Sequence, residues 1–309
     1  MTQNLELAQV IRDCPALQEG TGWRRITKGY SGDRLYTGVL EGERTLLRIF
    51  DAAGYASKRQ EYEMLGQLAA LGVRCSRPLQ FGLLEEQGVG YMLLTYIAGE
   101  DASVALPQLP VETQYAIGLE AGRELRKLHQ LAAPPDWPGW YEAKAAKHRR
   151  YAQAYRICGV QFPGDEAVLA FIDRHLEAMR GRPNLFQHDD YHPSNLIVEG
   201  GRFAGVIDIG RFDWGDPVHE FLKIGMFTIE TSLPFAVGQI RGYHEGREPD
   251  ESFWQLYALY MAMSVISSVV WVVKHHPQEL EEMMTRLNRV MDDHQGFELH
   301  RPIWYPSLG

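Results

Sequence analysis

Three side chains that carry oxygen mark the part of this chain with the clearest chemical content. Asp190 stands five residues before Asn195, and Asp208 follows after a short apolar stretch. Leu196-Ile197-Val198 and the run from Phe203 to Ile207 are rich in β-forming residues, and Glu199-Gly200-Gly201-Arg202 between them is turn chemistry. An antiparallel hairpin brings the chain back to where it left, so the sequence predicts Asn195 and Asp208 side by side, with Asp190 one short loop upstream. Two oxygen donors beside a third carboxylate suit a hard cation of the magnesium kind and leave one carboxylate to handle a proton.

Phosphoryl transfer uses this set of groups: one Asp orients the attacking hydroxyl and takes its proton, while an Asn and a second Asp hold magnesium on the nucleotide phosphates. The pattern His188-x-Asp190-x-x-x-x-Asn195, followed by Asp208-Ile209-Gly210, resembles the catalytic motif of the aminoglycoside phosphotransferases. These are small-molecule kinases related to choline, homoserine and macrolide kinases. Gly215-Asp216-Pro217 extends the likeness. The resemblance implies an α+β, bilobal, protein-kinase-like fold, with an antiparallel-sheet N-lobe over residues 1–99 and a mainly helical C-lobe over residues 100–309. It further implies Mg2+ as cofactor, ATP or GTP as co-substrate, and a hydroxyl-bearing, cationic acceptor of the aminoglycoside type, with a role in antibiotic resistance.

Carried over residue by residue, the resemblance makes Asp190 the catalytic base and Asn195 and Asp208 the magnesium ligands, with His188 and His129 as structural supports. His129 closes Leu125-Arg126-Lys127-Leu128-His129, similar to a signature of the C-lobe core in that family. Arg48 stands where such enzymes usually place Lys. A guanidinium can bind phosphate bidentately, so the role survives chemically. Its expected partner is Glu61, chosen over Glu63 because Leu65 and Leu68 follow Glu61 at helical spacing. Ser31 and Gly32 belong to a turn expected to cover the phosphates, and the backbone of Thr95 and Ile97 is expected to read the base. Candidate acceptor contacts are Asp213, Asp216 and Glu220, each of which could instead be a helix N-terminal charge or a loop hydrogen bonder. Asp189 fills a position that is usually Gly in the family. It could raise the pKa of Asp190 or attract a cationic acceptor.

Elements that would position these groups are legible in outline. Residues 1–20 have an amphipathic helical pattern. Alternation from Arg25 to Ile49 predicts antiparallel strands, and Ser57 to Leu71 a helix ended by Gly72. Strands at Leu79–Leu84 and Tyr91–Ile97 precede a linker at Ala98-Gly99. From Pro110 the pattern turns helical: Val111 to Leu131, a basic helix Lys144–Ala154, Asp165–Met179, and helices through residues 217–295. The resemblance places the inserted helices at the acceptor-site wall. The basic run reads as a solvated face, and its charge counts against a polycationic acceptor. Trp254, Tyr257, Tyr260 and Trp271, at helical spacings, read as core.

Composition narrows the function classes. The chain has 309 residues, enough for a sizeable core, with 45% hydrophobic and 23% charged residues. A formal net charge of −9 argues against a nucleic-acid partner. The longest apolar candidate, Leu256–Val273, is interrupted by Tyr, Ser and Trp and reads as a buried helix, so no membrane partner is expected. The N-terminus lacks a basic region followed by an apolar one. Three scattered cysteines fit neither a disulfide framework nor a zinc site. A cytoplasmic location is expected. The alternatives are a kinase for another small molecule (macrolide, choline, homoserine or sugar) and an inactive kinase-like module that senses a nucleotide or ligand.

Overall fold

The computed structural model describes residues 2–27 and 32–306. By internal contact the chain divides into two units, residues 1–99 with 204–210, and residues 100–203 with 211–309.

In the first unit, helix α1 (Thr2–Asp13) precedes strands β1 (Thr21–Ile26), β2 (Arg34–Leu40) and β3 (Glu43–Asp51). Helix α2 (Tyr55–Ala70) and strands β4 (Pro78–Leu84) and β5 (Val89–Thr95) follow. The five strands form one antiparallel sheet in the order β1-β2-β3-β5-β4. Glu41 and Gly42 both have positive φ, 51° and 82°, so β2 and β3 are joined by a primed two-residue turn that matches strand twist. Strand alternation sorts the two faces. Leu47, Ile49, Tyr91 and Leu93 pack with Val10, Cys14 and Leu17, so the N-terminal helical segment caps that face. Arg48 lies on the opposite face, where Glu61 of α2 meets it.

The segment from Ala204 to Gly210 belongs to this unit, which corrects its expected place in the helical lobe. Val206 N donates to Arg74 O at 2.8 Å, and Val206 bridges Cys75 in parallel. A Cβ at Gly205 would stand 2.7 Å from Arg74 O, so a side chain there would push the segment off its seat.

The second unit contains β6 (Glu100–Asp101), α3 (Val111–Leu128), α4 (Trp140–Ile157), α5 (Asp165–His175) and β7 (Leu185–Gln187). These are followed by β8 (Leu196–Glu199), β9 (Arg202–Val206, which runs on into the first unit), β10 (Asp213–Gly215), α6 (Leu233–Tyr243), α7 (Glu251–His275) and α8 (Leu280–Asp293). β6, β8 and β9 form a small sheet, and β7 pairs antiparallel with β10. Helices α3 and α6 approach through glycines. A methyl at Gly122 would lie 2.1 Å from Gln239 O, and one at Gly242 would lie 2.1 Å from Leu119 O. Helix α7 is long and apolar enough to cross a membrane by composition, but 67% of its most apolar window is buried within the protein. Trp254, Tyr257 and Tyr260 are core residues, whereas Trp271 is exposed.

Residues 217–228, expected as ordinary helix, form a 3-10 turn (Pro217–Phe221) and a π turn (Ile224–Thr228). Such irregular turns aim side chains differently from an α-helix. Lys223 sits between them.

Candidate active site

The loop from His188 to Asn195 is held by its own backbone. The carbonyl of Asp190 accepts from His192 N at 3.0 Å and from Asn195 Nδ2 at 2.9 Å, and Asn195 N donates to His192 O at 2.9 Å. Asp189 has φ 62°. Asp tolerates this left-handed conformation better than most side chains, which accounts physically for its presence where glycine is usual.

Asp190 carries two cationic or donor neighbours on one oxygen. Lys223 Nζ is 3.1 Å and His192 Nε2 3.2 Å from Oδ1. His192 Nδ1 accepts from Ser194 N at 3.3 Å, which leaves the imidazole proton on Nε2 to be donated to Asp190. Burial pushes the Asp190 carboxyl up, but the His192 hydrogen bond and the Lys223 charge outweigh it and hold the group well below the usual carboxylate range. Oδ2 has no partner among the described residues, and the side chain is half-exposed. A carboxylate held ionised, with one oxygen anchored and the other open, can accept a hydrogen bond from an approaching hydroxyl.

Glu220 and Asp216 do other work than the acceptor contact expected of them. Glu220 is buried, and its Oε2 accepts from His188 N at 2.7 Å and Asp189 N at 3.3 Å, so it clamps the backbone just before Asp190. Burial pushes its carboxyl up; the neighbouring His129 and the charge of His188 prevail and lower it. His129 caps α3, bonds Tyr243 OH at 2.9 Å and approaches Glu220 to 4.0 Å. Asp216 is wholly buried and receives a bidentate Arg182 pair at 2.7 and 2.9 Å, the Tyr260 hydroxyl at 2.6 Å and the Val218 amide at 3.0 Å. Neither carboxylate presents a surface to a ligand. Asp213 is exposed, and one of its oxygens accepts from Trp214 N at 2.8 Å.

In the first unit, Arg48 bonds Glu61, whereas Glu63 turns outward to Arg59 at 2.9 Å. Asp33 adds a second carboxylate, 3.2 Å from Arg48 Nε and 2.6 Å from Nη2, and Lys58 Nζ reaches Asp33 at 2.6 Å and Glu61 at 3.5 Å. Sequence reasoning missed both Asp33 and Lys58. The spacing of Lys58 and Glu61 on one turn of α2 was the available signal. Ser31 lies outside the described residues, and Gly32 stands just before Asp33. Thr95 N donates to Arg77 O at 2.9 Å, so of the two backbone amides expected at the base it is already engaged. Ile97 lines a cavity with Arg44, Tyr96 and Thr95.

Asn195 and Asp208 fit a hard cation by donor chemistry. The Asn195 amide nitrogen is engaged with Asp190 O, which leaves its carbonyl oxygen as the remaining ligand atom, and Asp208 is exposed with φ 61°. No cluster of three His, Cys, Asp or Glu able to hold a metal occurs among the described residues. Magnesium commonly takes one or two protein oxygens and completes its shell with phosphates and water, so each of these oxygens, one in either unit, is by itself a suitable protein ligand.

The basic stretch of α4 is not simply a solvated face. Lys144 and His148 line a cavity with Lys147, Asp189, Lys223 and, from α7, Ser264. Lys144 Nζ contacts His219 Nε2. Burial, then the charge of Lys147, holds the Lys144 ammonium down at about 7. His219 is pushed well below its ordinary value by burial and by Lys144, and so accepts as neutral imidazole.

Comparison with known proteins gives the family and the fold. An aminoglycoside 3'-phosphotransferase of Niallia circulans is 24% identical over 193 residues, 59% of this chain and 70% of that protein. A thermostable mutant of aminoglycoside phosphotransferase APH(4)-Ia, solved in ternary complex with AMP-PNP and hygromycin B, aligns with a TM-score of 0.67 at 16% identity, over 94% of this chain and 98% of that one. The GDP complex of wild-type aminoglycoside 2'-phosphotransferase-IIIa aligns with a TM-score of 0.66 at 12% identity, over 93% and 98%. These structural likenesses establish the protein-kinase-like α+β fold. The sequence model of the phosphotransferase enzyme family matches residues 22–257. The chain therefore belongs to the phosphotransferase enzyme family and is a phosphotransferase that uses a hydroxyl group as acceptor.

Proposed function

We propose that this protein transfers the γ-phosphate of a magnesium-bound nucleotide to a hydroxyl of a small-molecule acceptor, with Asp190 as the group that orients and deprotonates that hydroxyl. The observation that carries the reading is the asymmetry of Asp190, with Oδ1 fixed by Lys223 and His192 and Oδ2 open. The Glu220 clamp on the His188 and Asp189 amides keeps that geometry from drifting. Such positioning matters because phosphoryl transfer gains its rate mainly from orientation and electrostatics.

In this reading Arg48 and Lys58 meet the nucleotide phosphates, and Glu61 holds Arg48 extended. By the resemblance Asn195 and Asp208 would be the residues that hold magnesium, which would neutralise phosphate charge. The names of the relatives put aminoglycosides on the acceptor panel beside small alcohols of other charge. Three free cysteines fit a reducing compartment such as the cytoplasm.

The test is magnesium-dependent consumption of ATP and GTP, measured separately across a panel of acceptors. Asp190→Asn should lower acceptor-stimulated turnover by roughly 10²–10⁴-fold and leave nucleotide binding intact. Stimulated turnover that survives in Asp190→Asn would sink the assignment.

A further inference from the structure

We infer that the cavity between α4 and α7 seats the acceptor and that this acceptor is a small alcohol carrying an anionic group, a carboxylate or a phosphate. The inference rests on the kinase reading above and names the substrate class for that site.

Position is the first argument. Asp189, the neighbour of the base, and Lys223, 3.1 Å from the base's carboxylate, both line the cavity. A ligand within it therefore lies one side chain away from Asp190. Size is the second. The inner part of the cavity holds about 150 Å³, room for a body of about the size of benzene, and its mouth opens to solvent.

Charge is the third and decides the class. Lys144, Lys147 and His148 recur on α4 at helical spacing, so one stripe of the helix faces the cavity. Neither Lys144 nor Lys147 forms an ion pair among the described residues, although α4 could have supplied glutamates one turn away, as α2 does for Arg59. Like charges three residues apart on a helix repel. The depressed Lys144 ammonium records that repulsion together with its burial. Asp213 and Asp189 act on Lys144 only at a distance, and their pull on the ammonium is outweighed by burial and by Lys147. On the facing helix Ser264 and Ser267 interrupt an otherwise apolar run; Ser264 offers a hydroxyl, while that of Ser267 donates to Ser264 O at 3.2 Å. His148 is buried, and its Nδ1 finds no hydrogen-bond partner among the described residues. An anion with several acceptor oxygens would meet Lys147, the His148 Nδ1 and Lys144 together and favour the charged form of Lys144, whereas an ammonium would add a further cation to this group.

The experiment titrates the full chain, labelled at the lysine side chains, with glycerate, glycerol phosphate and, as a cationic comparator, kanamycin. Lys144 and Lys147 resonances, assigned with single alanine variants, should shift saturably with an anionic probe and not with kanamycin. Lys147→Glu, on an exposed position that should fold normally, should weaken anion binding by about tenfold or more. A response to glycerate alone or to glycerol phosphate alone supports the inference and tells the two anions apart. No saturable shift with either anion, or saturation of the lysines by kanamycin, overturns it. Nucleotide turnover is read in parallel. Turnover on kanamycin that is unaffected by Lys147→Glu leaves the kinase standing and this inference overturned. Anion binding without any Asp190-dependent transfer overturns the acceptor assignment together with the kinase reading.

Discussion

Lys223 Nζ lies 3.1 Å from Asp190 Oδ1, so the ammonium group shares the oxygen that His192 also contacts. The pair sets the ionisation of the proposed base. Burial raises the Asp190 carboxyl, and the donors that face it overcome that effect. Lys223→Met removes one positive charge and one donor, so the carboxyl should rise. The acid limb of the kcat profile should move to higher pH by about one unit or more, the usual size for loss of an adjacent opposite charge. A profile that keeps its acid limb while kcat falls would mean that Lys223 acts on the substrate instead.

Much of the fold could be read from the sequence because its signals were local. Alternation, glycine turns and apolar stripes lie within one element, and the strands, α2 and α3 fall close to where they were expected. Side-chain partnerships were harder to see. Asp216 and Glu220 look like ligand carboxylates in the linear chain because nothing there shows that Arg182 and the His188 amide come to them from 34 and 32 residues away. Lys223 was hidden for a related reason. It stands between a 3-10 and a π turn, where helical periodicity does not indicate which way a side chain points. The cavity behind the α4 lysines needs α7 as its other wall, more than a hundred residues downstream.

Asp33 occupies the cations that nucleotide phosphates would need. It holds Arg48 at 2.6 Å and Lys58 at 2.6 Å. Asp33→Asn should loosen both, leaving Glu61 as their remaining carboxylate partner, and lower the nucleotide KM about threefold or more, equivalent to ~0.7 kcal/mol, without raising kcat. Lys58→Ala should act in the opposite direction. If Asp33→Asn weakens nucleotide binding, the carboxylate is orienting Arg48 for the phosphates and does not compete with them.

Glu220 links stability to the loop. Its folded pKa is depressed from the ordinary 4.5, chiefly by His129 and His188 acting against burial. A depressed carboxyl contributes stability that is present above its unfolded pKa and is lost as pH falls through the folded value. Wild type should therefore lose stability progressively below about pH 4.5, and Glu220→Gln should flatten that part of the curve while lowering stability at neutral pH. Because Glu220 positions the loop without facing a ligand, Glu220→Gln should reduce kcat far more than it changes either KM. A large rise in acceptor KM with kcat preserved would restore Glu220 to the acceptor site.

Asp216 separates a structural carboxylate from an acceptor ligand most sharply. Its two oxygens are fully used by Arg182, Tyr260 and the Val218 amide, and no part of it reaches solvent. Asp216→Ala strands the Arg182 guanidinium and the Tyr260 hydroxyl and should cost about 3–5 kcal/mol, the range for breaking a buried pair from one side. At about 2–4 °C per kcal/mol for a domain of this size, the melting midpoint should fall by roughly 10 °C. The Arg182 side chain keeps some exposure, which places the expected loss towards the lower end. A double-mutant cycle decides between pairing and mere packing. If the pair carries the cost, Asp216→Ala combined with Arg182→Met should lose clearly less than the sum of the single variants. Additive losses, or a stable Asp216→Ala protein with a raised acceptor KM, would return Asp216 to the ligand side of the ledger.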